Sequence, residues 1–351
     1  MQHKYFAASN SADGFKSYFN EIFAVADLLY IIKGGPGTGK SSFMKKCADM
    51  AETIGNTVEY YYCSSDPESI DGVLIISEKK KIGIVDGTAP HVWEPLLAGA
   101  TEEIINLGSF WDGKLLRKQK NEIESLTRKK SASFKRAYKY LRSCGNLRAV
   151  TDALIEQAID IPKLRAAAKR LAVLLSDGQK GDLSCSPAIQ NGISMNGRAK
   201  FDSFEQNADK LYFVGELYGV GGLFLDCLYE ELVKISVSMR VSYDPVTPKH
   251  IDGIFVEDSA TAVVLSKEPE SADDGEKLIN PKRFIILERF REVRGELRYA
   301  KKLYDGCLDG ALHALSGAKV YHFLLEDIYK NAMDFVALDE YTEDFIYDLF
   351  K

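Results

Sequence analysis

At 351 residues the chain is long for one domain and sufficient for two. It carries 45 Lys plus Arg against 51 Asp plus Glu, a formal charge of −6, which argues against a basic nucleic-acid coat and leaves only a local basic patch open. No apolar run reaches about 18 residues, so no membrane span is expected, and nothing after Met1-Gln2-His3-Lys4-Tyr5 reads as a secretory leader. The six cysteines (Cys47, Cys63, Cys144, Cys185, Cys227, Cys307) form no CxxC pair, which points to reduced thiols in a cytoplasmic setting and not to a disulfide frame or zinc site.

Residues 28–32 (Leu-Leu-Tyr-Ile-Ile) predict a buried strand, and 41–51 have helical composition and period. Between them runs Gly34-Gly35-Pro36-Gly37-Thr38-Gly39-Lys40-Ser41-Ser42, with the full GxxxxGK[ST] spacing. Four glycines let backbone N–H groups turn inward around phosphate oxygens. The helix N-terminus that follows presents its positive dipole end to the same anion. Lys40 is expected on the β- and γ-phosphates and Ser41 on Mg²⁺, so ATP or another nucleoside triphosphate with Mg²⁺ is the expected ligand. No GxGxxG is completed, which argues against a dinucleotide site.

Val58–Tyr62 reads as a second strand. The segment after it, 63–72, holds Asp66 and Asp71, which could orient a hydroxyl or a water; turn chemistry at Asp-Pro and Asp-Gly explains them equally. Ile82-Gly83-Ile84-Val85-Asp86 reads as a strand ending in a metal-binding carboxylate, the alternative being an Asp in a turn with Gly87. Gly87-Thr88-Ala89-Pro90-His91 follows, with no Glu directly after Asp86, so the group that activates water stays unassigned. His91 could touch phosphate or act as base.

Residues 114–148 form a helical stretch with twelve Lys or Arg against two Glu. It reads as a solvated face, as a lid that brings an Arg to the γ-phosphate, or as a surface for nucleic acid or an acidic partner. Residues 176–198 are rich in Gly, Ser and Asn without apolar period and read as a linker or surface loop. The stretch 326–348 has eight Asp or Glu against Lys330, with aromatics at helical spacing, and could complement the basic block.

The chain matches itself in order. Leu29-Tyr30-Ile31-Ile32 matches Leu211-Tyr212-Phe213-Val214, and Ile70-Asp71-Gly72-Val73 matches Ile251-Asp252-Gly253-Ile254. Ala137 and Ala311, Leu141 and Leu315, and Ala158 and Ala332 stand 174 residues apart. A tandem duplication follows, with units at 1–180 and 198–351. In the second copy Lys40 falls on Gly222, Ser41 on Leu223, Gly34 on Glu216 and Asp86 on Ser266, so that copy is read as degenerate.

The motifs at Gly34–Ser41, Cys63–Pro67 with Asp71-Gly72, Val85–His91 and Glu103–Gly108 together resemble a poorly characterised bacterial family of tandem P-loop proteins, labelled as ATPases or ATP-binding proteins. The resemblance covers most of residues 3–145 closely and the rest loosely. It implies a P-loop NTPase fold in each half and ATP as the nucleotide. Members tend to carry a second phosphate loop, and this chain departs there.

The expected architecture is α/β: a P-loop NTPase-type three-layer sandwich, duplicated, with mainly parallel sheets. The expected function is a Mg²⁺-dependent ATP-binding protein or ATPase with one competent site, slow or stimulated by a protein partner. A small-molecule or nucleotide kinase and a non-hydrolysing nucleotide-controlled scaffold are the alternatives. A nucleic-acid motor is least favoured by the acidic balance.

Overall fold

The structure, a computed structural model, describes residues 3–176, 183–266 and 276–351. The first half opens with β1 (His3–Phe6), the hairpin β2 (Ala8–Ser11) and β3 (Gly14–Ser17), and the short helix α1 (Phe19–Phe23). There follow β4 (Leu28–Lys33), α2 (Lys40–Thr53), β5 (Thr57–Tyr62), β6 (Ile70–Ile76), β7 (Lys81–Asp86) and β8 (Glu102–Asn106). Helices α3 (Gly113–Lys118), α4 (Lys120–Glu156) and α5 (Ile161–Leu175) complete it. The second half runs β9 (Cys185–Pro187), β10 (Asn191–Ser194), β11 (Gly197–Lys200), α6 (Ser203–Asn207), β12 (Lys210–Gly215) and α7 (Val220–Lys234). It continues with β13 (Met239–Tyr243), β14 (Ile251–Val256), β15 (Thr261–Ser266), β16 (Glu276–Ile279), α8 (Leu287–Lys330) and α9 (Phe335–Phe350).

Each half builds a six-stranded mixed sheet. The first has the order β1-β5-β6-β7-β4-β8 and the second β9-β13-β14-β15-β12-β16. Only β6 and β14 run against their neighbours; the remaining pairings are parallel. The class is therefore α/β. The apolar run of β4 has no alternation because both of its faces are covered. Ile32 packs with Phe43, Met44 and Cys47 of α2, while Ile31 packs on the opposite side with Phe19 and Phe23 of α1.

The side of the first sheet away from α2 meets the second half. Tyr5, Phe6 and Ile31 share one apolar cluster with Phe204 of α6 and with Ala262 and Val264 of β15. The hairpins meet as well: Phe6 bridges Ile189, and Asn10 Nδ2 donates to the Ile193 carbonyl at 2.8 Å. The layer expected on that face of each sheet is thus a short helix and the facing half, with the longer helices on the outer faces.

Helices α4 and α8 pair antiparallel. Leu126 near the start of α4 meets Leu325 and Ile328 near the end of α8, and Leu141 meets Leu308 and Ala311 midway. At 37 and 44 residues, they are long enough, about 55 and 65 Å at 1.5 Å per residue, to carry the chain from one sheet to the other. Their last turns deliver a helix to the far side. Leu164, Ala168 and Leu171 of α5 pack with Phe224, Leu225 and Leu228 of α7, on the second sheet. Leu338, Phe345 and Leu349 of α9 pack with Phe43 and Met44 of α2, on the first. The division at 1–180 and 198–351 follows the chain but not the packing, because α5 and α9 are exchanged.

Residues 177–182 of the expected linker lie outside the described residues. The rest of it is not a loop: β9 pairs with β13 at the edge of the second sheet, and β10 pairs with β11. These strands have three or four residues, too short for a period to be read. Among the described residues no ion pair joins 114–148 to 326–348 within the chain, although Lys130 feels the charge of Glu326. Lys330 pairs with Glu326 on its own helix, and Asp339 with Lys46 of α2. No described helix is long and apolar enough to cross a membrane.

Candidate functional site

Strands β4 and β7 are neighbours, and their register sets Ile32 beside Asp86. The chain leaves β4 at Lys33 and enters α2 at Lys40, so the glycine loop opens next to the Asp86 carboxylate. Gly37 and Gly39 have φ of +69° and +88°, where a side chain is strained. Gly39 caps α2 with no side-chain hydrogen bond, so the first amides of the helix have no side-chain cap. Thr38 is buried, and its hydroxyl donates to the Gly35 carbonyl at 2.9 Å, which ties the loop across its middle.

Lys40 Nζ donates to the Gly35 carbonyl at 2.6 Å and lies 3.5 Å from Asp86 Oδ2. Ser41 Oγ accepts the Ile70 N–H at 3.0 Å, which joins the start of α2 to β6. Ser42 is exposed. Asp86 Oδ1 accepts both the amide and the hydroxyl of Thr88. Gly34, Gly35 and Pro36 complete the loop in half-buried positions.

His91 has both ring nitrogens engaged. Nδ1 bonds the Asp86 carbonyl at 2.9 Å, Nε2 lies 3.2 Å from Asp71 Oδ2, and the ring stacks on Phe19 at 4.8 Å. Burial pulls its pKa down, but the Asp71 carboxylate, by hydrogen bond and charge, outweighs burial and leaves it above the ordinary histidine value. His91 is therefore a brace that holds Asp71 beside Asp86. Ligand atoms of Asp71, Asp86 and His91 lie within 4.8 Å of one another, the one such group among the described residues. Asp66 is half-buried; burial raises its carboxyl above the usual range, the Glu68 amide opposing.

The sequence reading missed the cover of the loop. It comes from the last turns of α8. A Cβ on Gly35 would stand 2.6 Å from the Tyr329 ring, and one on Gly37 would stand 2.8 Å from the Glu326 carbonyl oxygen. His322 Nε2 lies 3.4 Å from Glu326 Oε1 one turn away. With Lys330, it holds the Glu326 carboxyl down at about 2. Lys130 of the basic arm also lies near this place. Burial lowers its pKa, and it feels Cys63, Lys40 and Glu326.

Arg148, at the far end of the arm, serves the other half. Its Nε bonds Asp152 at 2.7 Å, and its guanidinium lies 3.0 Å from where a Cβ of Gly219 would stand. Arg148–Asp152 and His322–Glu326 are both i,i+4 pairs, and each is borne over the glycine loop of the opposite half. They stand 174 residues apart, the same spacing as the helix matches. That spacing was the signal that could have found His322 and Glu326.

The second loop corrects three positional matches. It has four residues, Glu216–Gly219, where the first has six. Aligned on the helix starts, Lys40 falls on Val220 and Ser41 on Gly221, not on Gly222 and Leu223. Strand register pairs Val214 with Leu265 as it pairs Ile32 with Asp86, so Leu265, not Ser266, stands in the place of Asp86. Neither the phosphate lysine nor the metal carboxylate has a counterpart by these matches either. Comparison with protein-family models, with curated proteins and with solved structures finds no match.

Proposed function

We propose that the chain is a Mg²⁺-dependent ATP-binding protein that hydrolyses ATP slowly or on contact with a partner, through one site at the β4–α2 loop. The observation that carries this is the approach of Lys40 to Asp86 beside two adjacent strand ends, with Ser41 next in the chain, on a loop whose glycines have the backbone turns of an anion nest. Lys40 bonds a loop carbonyl in place of a phosphate; with nucleotide bound it turns to the β- and γ-oxygens. The donor set fits Mg²⁺, which prefers oxygen ligands: the Ser41 hydroxyl and the Asp86 carboxylate are both at hand. His91, held by Asp71 and by the Asp86 carbonyl, is not counted among them. Mg²⁺ there would offset the charge of the phosphate oxygens. No carboxylate follows Asp86, so alignment of the attacking water falls to Asp66 or Asp71, which supports slow turnover.

The same reading takes each half as a P-loop NTPase-type unit and the chain as their tandem duplication. The two sheets have one strand order, both carry a register shift at the same place (Tyr61/Tyr62 and Ser242/Tyr243), and the paired groups on α4 and α8 match. A radiolabelled-ATP assay tests the function. Phosphate release that needs Mg²⁺ and falls at least about tenfold in Asp86→Asn is expected. Label passed to a metabolite in place of water would replace hydrolysis by a kinase activity, and undiminished release in Asp86→Asn would overturn the site.

A further inference from the structure

Of the twelve Lys and Arg in 114–148, ten are exposed and two are half-buried, Lys130 and Arg148. They stand 18 residues apart on α4, about five turns or 27 Å, so both lie on one face of the helix. Tyr304 and His322 have the same spacing on α8.

At the second glycine loop the use of this face is plain. Arg148 of α4 and Tyr304 of α8 line the cavity that opens there, together with Glu216 and Gly219. Glu216 Oε1 accepts the Gly219 N–H, so a carboxylate of the chain itself takes the loop amide, and Arg148 acts on that carboxylate. The residues that stand 174 away from Arg148 and Tyr304 are His322 of α8 and Lys130 of α4, so the two helices change places at the first loop. His322 pairs with Glu326, whose backbone sits on Gly37. Lys130 stands one turn after Leu126, which packs on Leu325 and Ile328 to either side of Glu326.

Lys130 differs from Arg148 in lacking an acid. Among the described residues it makes no hydrogen bond or ion pair. Glu326 is already held by His322 and Lys330, and residues 34–39 of the first loop include no carboxylate. Burial lowers the Lys130 pKa; the charges of Cys63 and Glu326 oppose this, and Lys40, a like charge, adds to it. Two ammonium groups that repel one another beside a glycine loop are stabilised by an anion between them.

We propose that Lys130 is a catalytic residue of the nucleotide site, carried there by α4, and that its ammonium group donates to the γ-phosphate oxygens alongside Lys40. This rests on the ATP site proposed at the β4–α2 loop. In hydrolysis the water oxygen bonds to the γ-phosphorus as the bond to the β–γ bridging oxygen breaks. The electron pair of that bond leaves with ADP, and a water proton passes to solvent. Lys130 keeps its own proton and offsets charge on the phosphoryl oxygens.

Calorimetric titration of the full chain with Mg²⁺ and either the non-hydrolysable β,γ-imido analogue of ATP or ADP tests this. The variants are Lys130→Ala, Lys130→Arg and, as a neighbouring control, Lys129→Ala. Lys129 is exposed and lies over the Tyr321 ring. Lys130→Ala leaves no acid unpaired and places a strong helix former in α4, so it stays folded by thermal melting. It is expected to bind the analogue roughly 10- to 100-fold more weakly, the worth of a charge-assisted hydrogen bond, and to bind ADP as the parent does. The kcat/KM for ATP should fall by at least the same factor. Lys130→Arg should recover analogue binding at least in part, and Lys129→Ala should change neither nucleotide. Unchanged analogue affinity or kcat/KM in Lys130→Ala, an equal loss for ADP, or an equal loss in Lys129→Ala would each overturn the role of Lys130 and leave the nucleotide site standing. A parent chain that binds neither nucleotide would overturn the site itself, and this role with it.

Discussion

The Lys40 ammonium stands 3.5 Å from the Asp86 carboxylate, although 46 residues separate them in the chain. Both are about nine-tenths buried. The adjacency follows from strand order alone: β4 and β7 pair in parallel, so the loop that leaves one opens beside the residue that ends the other. A lysine on a glycine loop and an acid on the next strand end are what a Mg²⁺-triphosphate needs on its two sides.

Gly37 joins the loop to the other half. Its φ is +69°, and the Glu326 backbone leaves no room for a Cβ. Gly37→Ala is expected to destabilise the fold by about 1–3 kcal/mol through strain and displacement of the α8 end. Urea unfolding checks this; stability equal to the parent would mean that α8 does not sit on the loop.

Leu338 of α9 is 4% exposed and lies among Phe43, Met44 and the ends of the first sheet. Leu338→Ala is expected to cost about 2–5 kcal/mol. A chain cut after residue 325 loses α9 and uncovers the outer face of α2, so it should unfold or aggregate. A truncated chain that melts like the parent would show that α9 does not complete the first core.

His250 titrates with the fold. Burial lowers its pKa, but hydrogen bonds and charge from Asp152 and Asp226, at 3.2 and 2.7 Å, raise it to about 9. Its contribution is fully present below the unfolded value of about 6.5 and is lost as pH rises through about 9. The parent should therefore lose up to roughly 3 kcal/mol from this group between those limits, and His250→Gln should flatten that part of the curve. Chemical denaturation from pH 6 to 10 measures it; equal pH dependence in the two chains would sink the assignment.

Much of the first half was legible. The glycine loop, β4, β7 and the helix at Lys40 follow from local composition and period, since each is set by its own residues. Asp71 stood level with Asp66, as an acid for a hydroxyl or water or as a turn residue, because nothing local says that His91 will fold back onto it. Contacts made by distant elements stayed hidden. The exchange of α5 and α9 depends on the lengths of α4 and α8 and on their pairing, which no window of sequence contains. Arg148 belongs to the basic stretch 114–148 of the first half, but the length of α4 carries it to the other. The two-residue shortening of the second loop was masked because Gly219, Gly221 and Gly222 align with the first loop's glycines at several offsets.

The proposed function requires one nucleotide site, at Lys40. Calorimetric titration of Mg²⁺-ATP into the parent chain and into Lys40→Ala tests it most directly. One site per chain is expected in the parent, none measurable in Lys40→Ala, and no gain from Gly222→Lys, since Glu216 fills the second loop. Two sites in the parent, or binding that survives in Lys40→Ala, would contradict it.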